Sequence, residues 1–264
     1  MSGNAEARLS ALDQVLDVSR PSASLGEDLF AAADALAGSP SLRRGLTDQG
    51  TPLEARLNVV RSLFGGKVSS DAVAVLEGAV KLPWATTGAF VAAVERQGIR
   101  AILLEAHGAG QLDTVEDELF KVGRAVAANP ELRRALAERR VPVIGRQQLL
   151  ADVIGVRTSP ATGALARRAV LARQQTFDLT LERYLQIAAD LRSRGIATVE
   201  VARPLTAEQA SRLQSVLSRQ AGHEVTLHVI VNPAVIGGVR VSLGDEVIEG
   251  TVAGRLSDVR RKLS

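Results

Sequence analysis

The sequence contains no cysteine, which excludes disulfides, thiolate zinc sites and thiol nucleophiles together. A reducing compartment is compatible with this and not required by it. Aromatics are almost as scarce: one Trp, one Tyr and five Phe make up 3% of the 264 residues. The core must therefore be built from Ala, Leu, Val and Ile, which suits helix-on-helix packing better than an aromatic-lined cleft. No stretch approaches the roughly 20 apolar residues that a membrane-spanning helix needs. No basic segment followed by an apolar run opens the chain, so neither a spanning segment nor a signal peptide is expected. Only four lysines occur, Lys67, Lys81, Lys121 and Lys262; the other basic residues are Arg, a bias that codon usage explains more readily than nucleic-acid binding. The 32 Lys plus Arg face 29 Asp plus Glu, leaving a formal charge of +3. The sequence pI of about 9.8 overstates this basicity, because little titrates between neutral pH and the Lys range.

Catalytic motifs are missing too. His107, His223 and His228 share no metal-ligand spacing with one another or with a carboxylate, and His228 alternates within a strand pattern as half-exposed structure. Glu27-Asp28 and Asp117-Glu118 are carboxylate pairs of a kind that can do acid–base work. They recur at matched points that read as helix first turns, where the dipole favours negative charge. Gly237-Gly238 lacks the Lys and Ser/Thr of a phosphate-binding loop and precedes a strand, so it reads as a tight turn or bulge. There is no Gly-x-Ser-x-Gly elbow. The Arg pairs, such as Arg43-Arg44, Arg133-Arg134 and Arg167-Arg168, lie among acids without interleaved aromatics, unlike a nucleic-acid stripe. No catalytic, cofactor-binding or metal-binding residue is assigned.

What the chain does have is a duplication. Residues 25–80 align without a gap on residues 115–170, and about 16 of the about 56 positions are identical. Leu29/Leu119, Phe30/Phe120, Pro40/Pro130, Arg43/Arg133, Leu46/Leu136, Pro52/Pro142, Arg56/Arg146, Gly65/Gly155 and Val80/Val170 keep one register. Two copies of one helical unit follow. Ser24 to Glu27 fits a capping box, and Thr51-Pro52-Leu53-Glu54 repeats that logic with Pro at the first helical position. Asn129-Pro130 and Ser159-Pro160 start two helices of the second copy, and Gly38, Gly65, Gly98 and Gly155 fall where helices should stop. An opening helix near 5–18 places Leu9, Leu12 and Leu16 on one face. Longer helices near 88–106 and 175–193 close the copies. Trp84, in a loop of the first copy, either anchors a partner or plugs its own bundle.

After Gly195 the period changes. Residues 197–202 read as a strand, Val225, Leu227, Val229 and Val231 alternate in a second, and Val239, Val241 and Leu243 in a third. Thr206, capped back by Gln209, opens a helix between the first two strands. Gly244-Asp245 signals a short hairpin into a brief strand at Val247 and Ile248. A last helix places Val252, Leu256, Val259 and Leu263 on one face. The expected fold is mainly α: two repeated antiparallel helical bundles, 1–106 and 107–194, then a small α/β domain, 195–264.

The C-terminal pattern resembles the end of the delta subunit of rotary F-type ATP synthases, the family of the oligomycin-sensitivity-conferring protein. It falls on Asn232-Pro233, Val235-Ile236, Gly237-Gly238, Gly244-Asp245, Gly250-Thr251 and Leu256, with Glu249 where the family often has Asp. The segment 129–136 is similar to one in the family's N-terminal six-helix bundle. A second bundle departs from the ordinary subunit and resembles the longer actinobacterial form, here without a fused stalk helix ahead of it. The resemblance implies a non-catalytic stator. Its helical part would hold the N-terminal helices of the alpha subunits, and its C-terminal domain the b-type stalk subunits. It would sit on the cytoplasmic face of the plasma membrane without inserting, with no cofactor, no nucleic acid and no homo-oligomer. An unrelated helical-repeat adaptor and a nucleic-acid-binding regulator are the competing readings; the first would form no complex with the alpha-subunit N-terminus, and the second would bind with steep salt dependence.

Overall fold

The computed structural model describes residues 3–19, 22–138, 140–154, 158–172, 175–193, 196–221, 225–232, 238–243 and 246–249. It divides into two compact units, Met1–Ala188 and Ala189–Ser264. The first holds helices α1 (Gly3–Asp17), α2 (Ala23–Gly38), α3 (Pro40–Thr47), α4 (Leu53–Phe64), α5 (Ser70–Lys81), α6 (Thr87–Gly108), α7 (Leu112–Ala128), α8 (Pro130–Ala137), α9 (Val143–Ile154), α10 (Pro160–Ala169) and most of α11 (Phe177–Ser193). The mainly α fold class expected from the sequence is the one observed.

The helices recur at the offset of the alignment, α3 to α5 reappearing as α8 to α10 with starts at Pro40/Pro130, Leu53/Val143 and Ser70/Pro160. The same shift carries α1 onto residues 93–107, inside α6. That helix therefore closes the first copy and opens the second. Leu12 and Leu16 of α1 correspond to Ile102 and Ala106 of α6, and all four are buried. Serving both copies leaves α6 little solvent face: residues 97–104 are buried without a break, Gln97 and Arg100 included. Buried polar groups persist only when paired, and α1 supplies the partners. Gln97 Nε2 donates to Asp13 Oδ1 (2.8 Å) and Arg100 Nη2 to Asp17 Oδ1 (2.8 Å); Arg96 also holds Asp13. Burial alone would raise the Asp13 carboxyl, but the Arg96 hydrogen bond and the charges of Arg100 and Arg96 outweigh it and hold the group below its ordinary range.

Gly98, read from the sequence as a helix stop, lies in the middle of α6. Its role is proximity. A Cβ on Gly98 would stand 2.6 Å from the Phe30 ring and 3.0 Å from the Gly26 carbonyl oxygen, and one on Gly26 would stand 2.5 Å from Ile102. The two glycines let α2 and α6 cross almost backbone to backbone. Gly38 does end α2 and Gly65 does cap α4, its N–H donating to Arg61 O; Gly155 lies outside the described residues. Two capping assignments also shift. The cap of α2 is Ser22, which accepts from Leu25 N at 3.1 Å, two residues ahead of Ser24. At α4 Pro52 is itself the cap, without a side-chain bond, and Thr51 Oγ1 donates to Asp48 instead (2.9 Å). Asn129 and Ser159 cap α8 and α10 as expected. Trp84 is half-buried on its own bundle: Nε1 donates to Ala79 O at 2.7 Å and its ring lies 6.2 Å from Phe90.

The second unit is a four-stranded sheet in the order β2-β1-β3-β4. Its elements are β1 (Ile196–Val201), α12 (Ala207–Ala221), β2 (Thr226–Val231), β3 (Val239–Leu243) and β4 (Glu246–Glu249). β1 pairs in parallel with β2 across the α12 crossover and antiparallel with β3. Alternation builds its core: Ala197, Val199, Val201, Val225 and Val241 pack with Leu217 of α12, and Leu227, Val229 and Val239 lie against them. The capping box at α12 forms, Thr206 N donating to Gln209 Oε1 and Gln209 N to Thr206 Oγ1. The expected last helix lies outside the described residues.

Helix propensity alone makes Gly→Ala favourable by about 1 kcal/mol inside a helix, whereas overpacking costs about 1–3 kcal/mol. Gly98→Ala should therefore lower the melting temperature in a circular-dichroism scan. A raised melting temperature would show that the α2–α6 crossing is not tight.

Candidate functional site

Two polar networks frame each copy and recur at matched positions. Arg56 Nη1 donates to the carbonyls of Leu46 (3.4 Å) and Val80 (3.0 Å). Arg146 Nη1 donates to those of Leu136 (3.0 Å) and Val170 (3.2 Å). In each case an arginine of the fourth helix fastens the ends of the third and fifth. The carboxylate pairs form the second network, in a different place from the one expected. They lie beyond the first turns of α2 and α7, and the second acid of each pair reaches another helix. Asp28 Oδ2 accepts from Ser69 N at the start of α5 (2.8 Å), and Glu118 Oε2 from Ser159 N at the start of α10 (2.9 Å). Glu118 Oε2 also accepts from Ser159 Oγ (2.7 Å) and Thr162 Oγ1 (2.6 Å). Burial pushes the Glu118 carboxyl up, but these bonds more than offset it and hold the group below the usual carboxylate range. The acids are helix caps.

On this shared frame the copies diverge in one respect that bears on binding. Between α7 and α9 lies an apolar cleft of about 320 Å³, walled by Val122, Val126, Leu150, Val153 and Ile154, with Glu118 and Lys121 among its lining. The repeat positions in the first copy are Ala32, Leu36, Val60, Leu63 and Phe64. There Phe64 is buried among its neighbours at 6% exposure. Its counterpart Ile154 is shorter and only half-buried. The shorter side chain stands on the wall of the cleft.

Exposed apolar side chains occur on both copies, Val59 and Leu63 of α4 at 41% and 39% beside their repeat mates Leu149 and Val153 at 37% and 49%, but two positions differ sharply. Phe30 is buried at the α2–α6 crossing, while its repeat mate Phe120 is 55% exposed on α7. On α9 only Leu150 is fully buried, and Ile144 (80%) and Val153 (49%) are left in solvent. A helix rich in apolar residues with one buried position is an unpartnered surface, the form in which interaction sites present themselves. The sequence carried this signal as the Phe64/Ile154 exchange, but one apolar residue for another gives no warning before the burial is known.

Nothing in the described residues assembles a reaction centre. No group of three His, Cys, Asp or Glu is placed to hold a metal among them. His107 is half-buried, and burial pushes it below the ordinary imidazole range, with the charge of Asp113 offsetting part of this. No described helix is long and apolar enough to cross a membrane. Of the C-terminal motif, Asn232 and Gly238 are described. Asn232 N donates to Val201 O (2.8 Å), tying the end of β2 to the end of β1. Gly238 holds φ at +92°, a conformation that glycine tolerates and other residues resist, one step before β3. Pro233, Ile236, Gly237, Gly244, Asp245, Gly250, Thr251 and Leu256 lie outside the described residues.

A family model, that of the ATP synthase delta (OSCP) subunit, matches residues 99–263. That span begins inside α6, where α6 becomes the opening helix of the second copy, and runs through the C-terminal unit. The chain is similar over its whole length to the ATP synthase subunit delta of Cutibacterium acnes, 38% identical across 96% of each chain. It is similar to that of Kineococcus radiotolerans at 38% identity over 99% of this chain and 97% of the other. Among solved structures, a chain of the Toxoplasma gondii mitochondrial ATP synthase hexamer is 21% identical over 62% of this chain and 94% of its own, with a TM-score of 0.27, too low to bear on the fold.

Arg146→Ala strands two carbonyls and should cost about 1–3 kcal/mol in urea unfolding; an unchanged midpoint would mean that water replaces the guanidinium. The lowered Glu118 carboxyl contributes stability that is present above its unfolded pKa, about 4.3, and is lost as pH falls through its lower folded value. Glu118→Gln should accordingly flatten the decline in stability between pH 5 and pH 3 relative to the native chain, as followed by denaturant titration at each pH.

Proposed function

The chain belongs to the ATP synthase delta (OSCP) subunit family, non-catalytic members of the peripheral stalk, and we propose that its second helical copy is the part that grips the catalytic head. A stator has no substrate. It must resist rotation of the head against the membrane sector, and that calls for a stiff body with a specific grip at each end.

The single observation that carries the choice of copy is the cleft between α7 and α9. It is apolar, about 320 Å³ in volume, and walled by the half-buried Ile154 where the first copy has the buried Phe64. A groove between two helices accepts an amphipathic helix whose anchors repeat at i, i+3, i+4 and i+7. Each fully buried aliphatic anchor contributes about 1.5–3 kcal/mol, so a few of them offset the cost of ordering a flexible N-terminus. The partner helix is the N-terminal segment of an alpha subunit. The family span, which takes in the second copy and omits nearly all of the first, supports the same choice.

At the other end the C-terminal unit receives the b-type stalk subunits. The segment from Asn232 to Leu256 is the part of the chain we assign to that contact, with Asn232 tying the end of β2 to β1 and Gly238 standing one step before β3. The assembly places the chain on the cytoplasmic face of the plasma membrane, attached through its partners and without insertion.

Isothermal titration with an alpha-subunit N-terminal peptide tests the grip. Val153→Glu puts a charge in the cleft and should weaken binding at least tenfold while the circular-dichroism spectrum stays native. Leu63→Glu at the matching position of the first copy should leave the affinity unchanged. Equal affinities for native and Val153→Glu chains would remove the α7–α9 cleft as the site.

A further inference from the structure

We infer that Arg168 is a strut that locks the two helical copies into one rigid body about their shared helix α6. The mechanical use of that rigidity rests on the stalk function above; the strut itself does not.

The inference begins from the repeat. Arg168, near the end of α10, corresponds to Gly78 of α5. A Cβ on Gly78 would lie 3.2 Å from Val15 and 3.4 Å from Leu12, so glycine is what allows α5 to lie close against α1. In the second copy α6 stands where α1 stands in the first, and the small residue facing it has become the largest cation. Its side chain is nevertheless buried, at 7% exposure. It reaches the shared helix and, past it, α2 of the other copy. Nε donates to Glu95 Oε1 on α6 at 2.5 Å, Nη1 to Asp34 Oδ2 on α2 at 2.9 Å, and the guanidinium stacks 4.7 Å from the centre of the Phe30 ring.

The cluster occurs once. The repeat mates of Phe30, Asp34 and Glu95 are Phe120, Arg124 and Ala5, which cannot reproduce it, so the arrangement belongs to the junction and not to the duplicated unit. Around it lies a cavity of about 180 Å³, lined by residues of α2, α6 and α11, Tyr184 among them. Close apolar packing therefore does not fix the geometry there. A planar guanidinium held by two carboxylates on different helices does, because its donors are directional. Burial would loosen the Arg168 proton, but Glu95 and Asp34 more than restore it, so the group keeps its charge.

The absence of cysteine makes the test direct. Spin labels placed through Arg44→Cys on α3 and Arg134→Cys on α8, two exposed positions at the same point of each copy, report the separation of the copies by pulsed electron resonance. The native background should give one narrow distance distribution. Arg168→Leu should at least double its width with helix content unchanged, and Arg168→Lys, which keeps the charge but loses the two-pronged geometry, should fall between. If Arg168→Leu fails to fold, Asp34→Asn combined with Glu95→Gln, at carboxylates 42% and 30% exposed, makes the same test from the other side. A distribution as narrow as the native one in the folded variants would overturn the inference. No partner subunit enters the measurement, so its failure is separate from failure of the proposed grip on the head.

Discussion

A helix that ends one bundle and begins the next must satisfy neighbours on every side, and α6 shows what that demands. Eight consecutive residues, 97–104, are buried, a pattern that an ordinary one-sided amphipathic helix cannot produce. Apolar residues fill most of the run. The two polar ones, Gln97 and Arg100, are answered by Asp13 and Asp17 of α1, and Gly98 yields its side chain so that α2 can approach. The first helix of the chain, the crossing of α2 and the placement of the second copy all take their positions from this one element.

Around that spine the duplication has kept its frame and changed its surfaces. The arginine clamps of Arg56 and Arg146 and the distant caps of Asp28 and Glu118 recur in both copies, because each satisfies backbone groups that any version of the bundle must satisfy. Residues that touch no backbone were free to diverge. Phe64 became Ile154, Gly78 became Arg168, and Phe30 stayed a phenylalanine as Phe120 but moved from the interior to the surface. The first copy buries both phenylalanines, and the second displays a cleft and an exposed aromatic.

Much of this was legible in the sequence. The gapless register announced two copies, the change of period after Gly195 announced the sheet, and the strand alternation named Val225, Leu227, Val229, Val239 and Val241 of its core, though Val231, expected on the same face, is 38% exposed. The misreadings share a cause. Gly98 was taken for a stop because glycine is most informative at helix ends, whereas here it answers to a neighbouring helix 72 residues earlier at Gly26. Ser24 fits the capping-box spacing to Glu27, but the path of the chain makes Ser22 the cap. The double duty of α6 was hidden for another reason: α1 and residues 93–107 have diverged beyond the aligned segment, and only their shared position in the bundle relates them. The open cleft was unreadable because it depends on what a side chain fails to fill.

Since one helix can stand in the place of another, the boundary between the copies is not a linker but a splice. The two bundles therefore need no tether between them to be ordered, because one helix belongs to both. By the same geometry, excising one repeat length between matching points of α1 and α6 would leave a whole bundle behind.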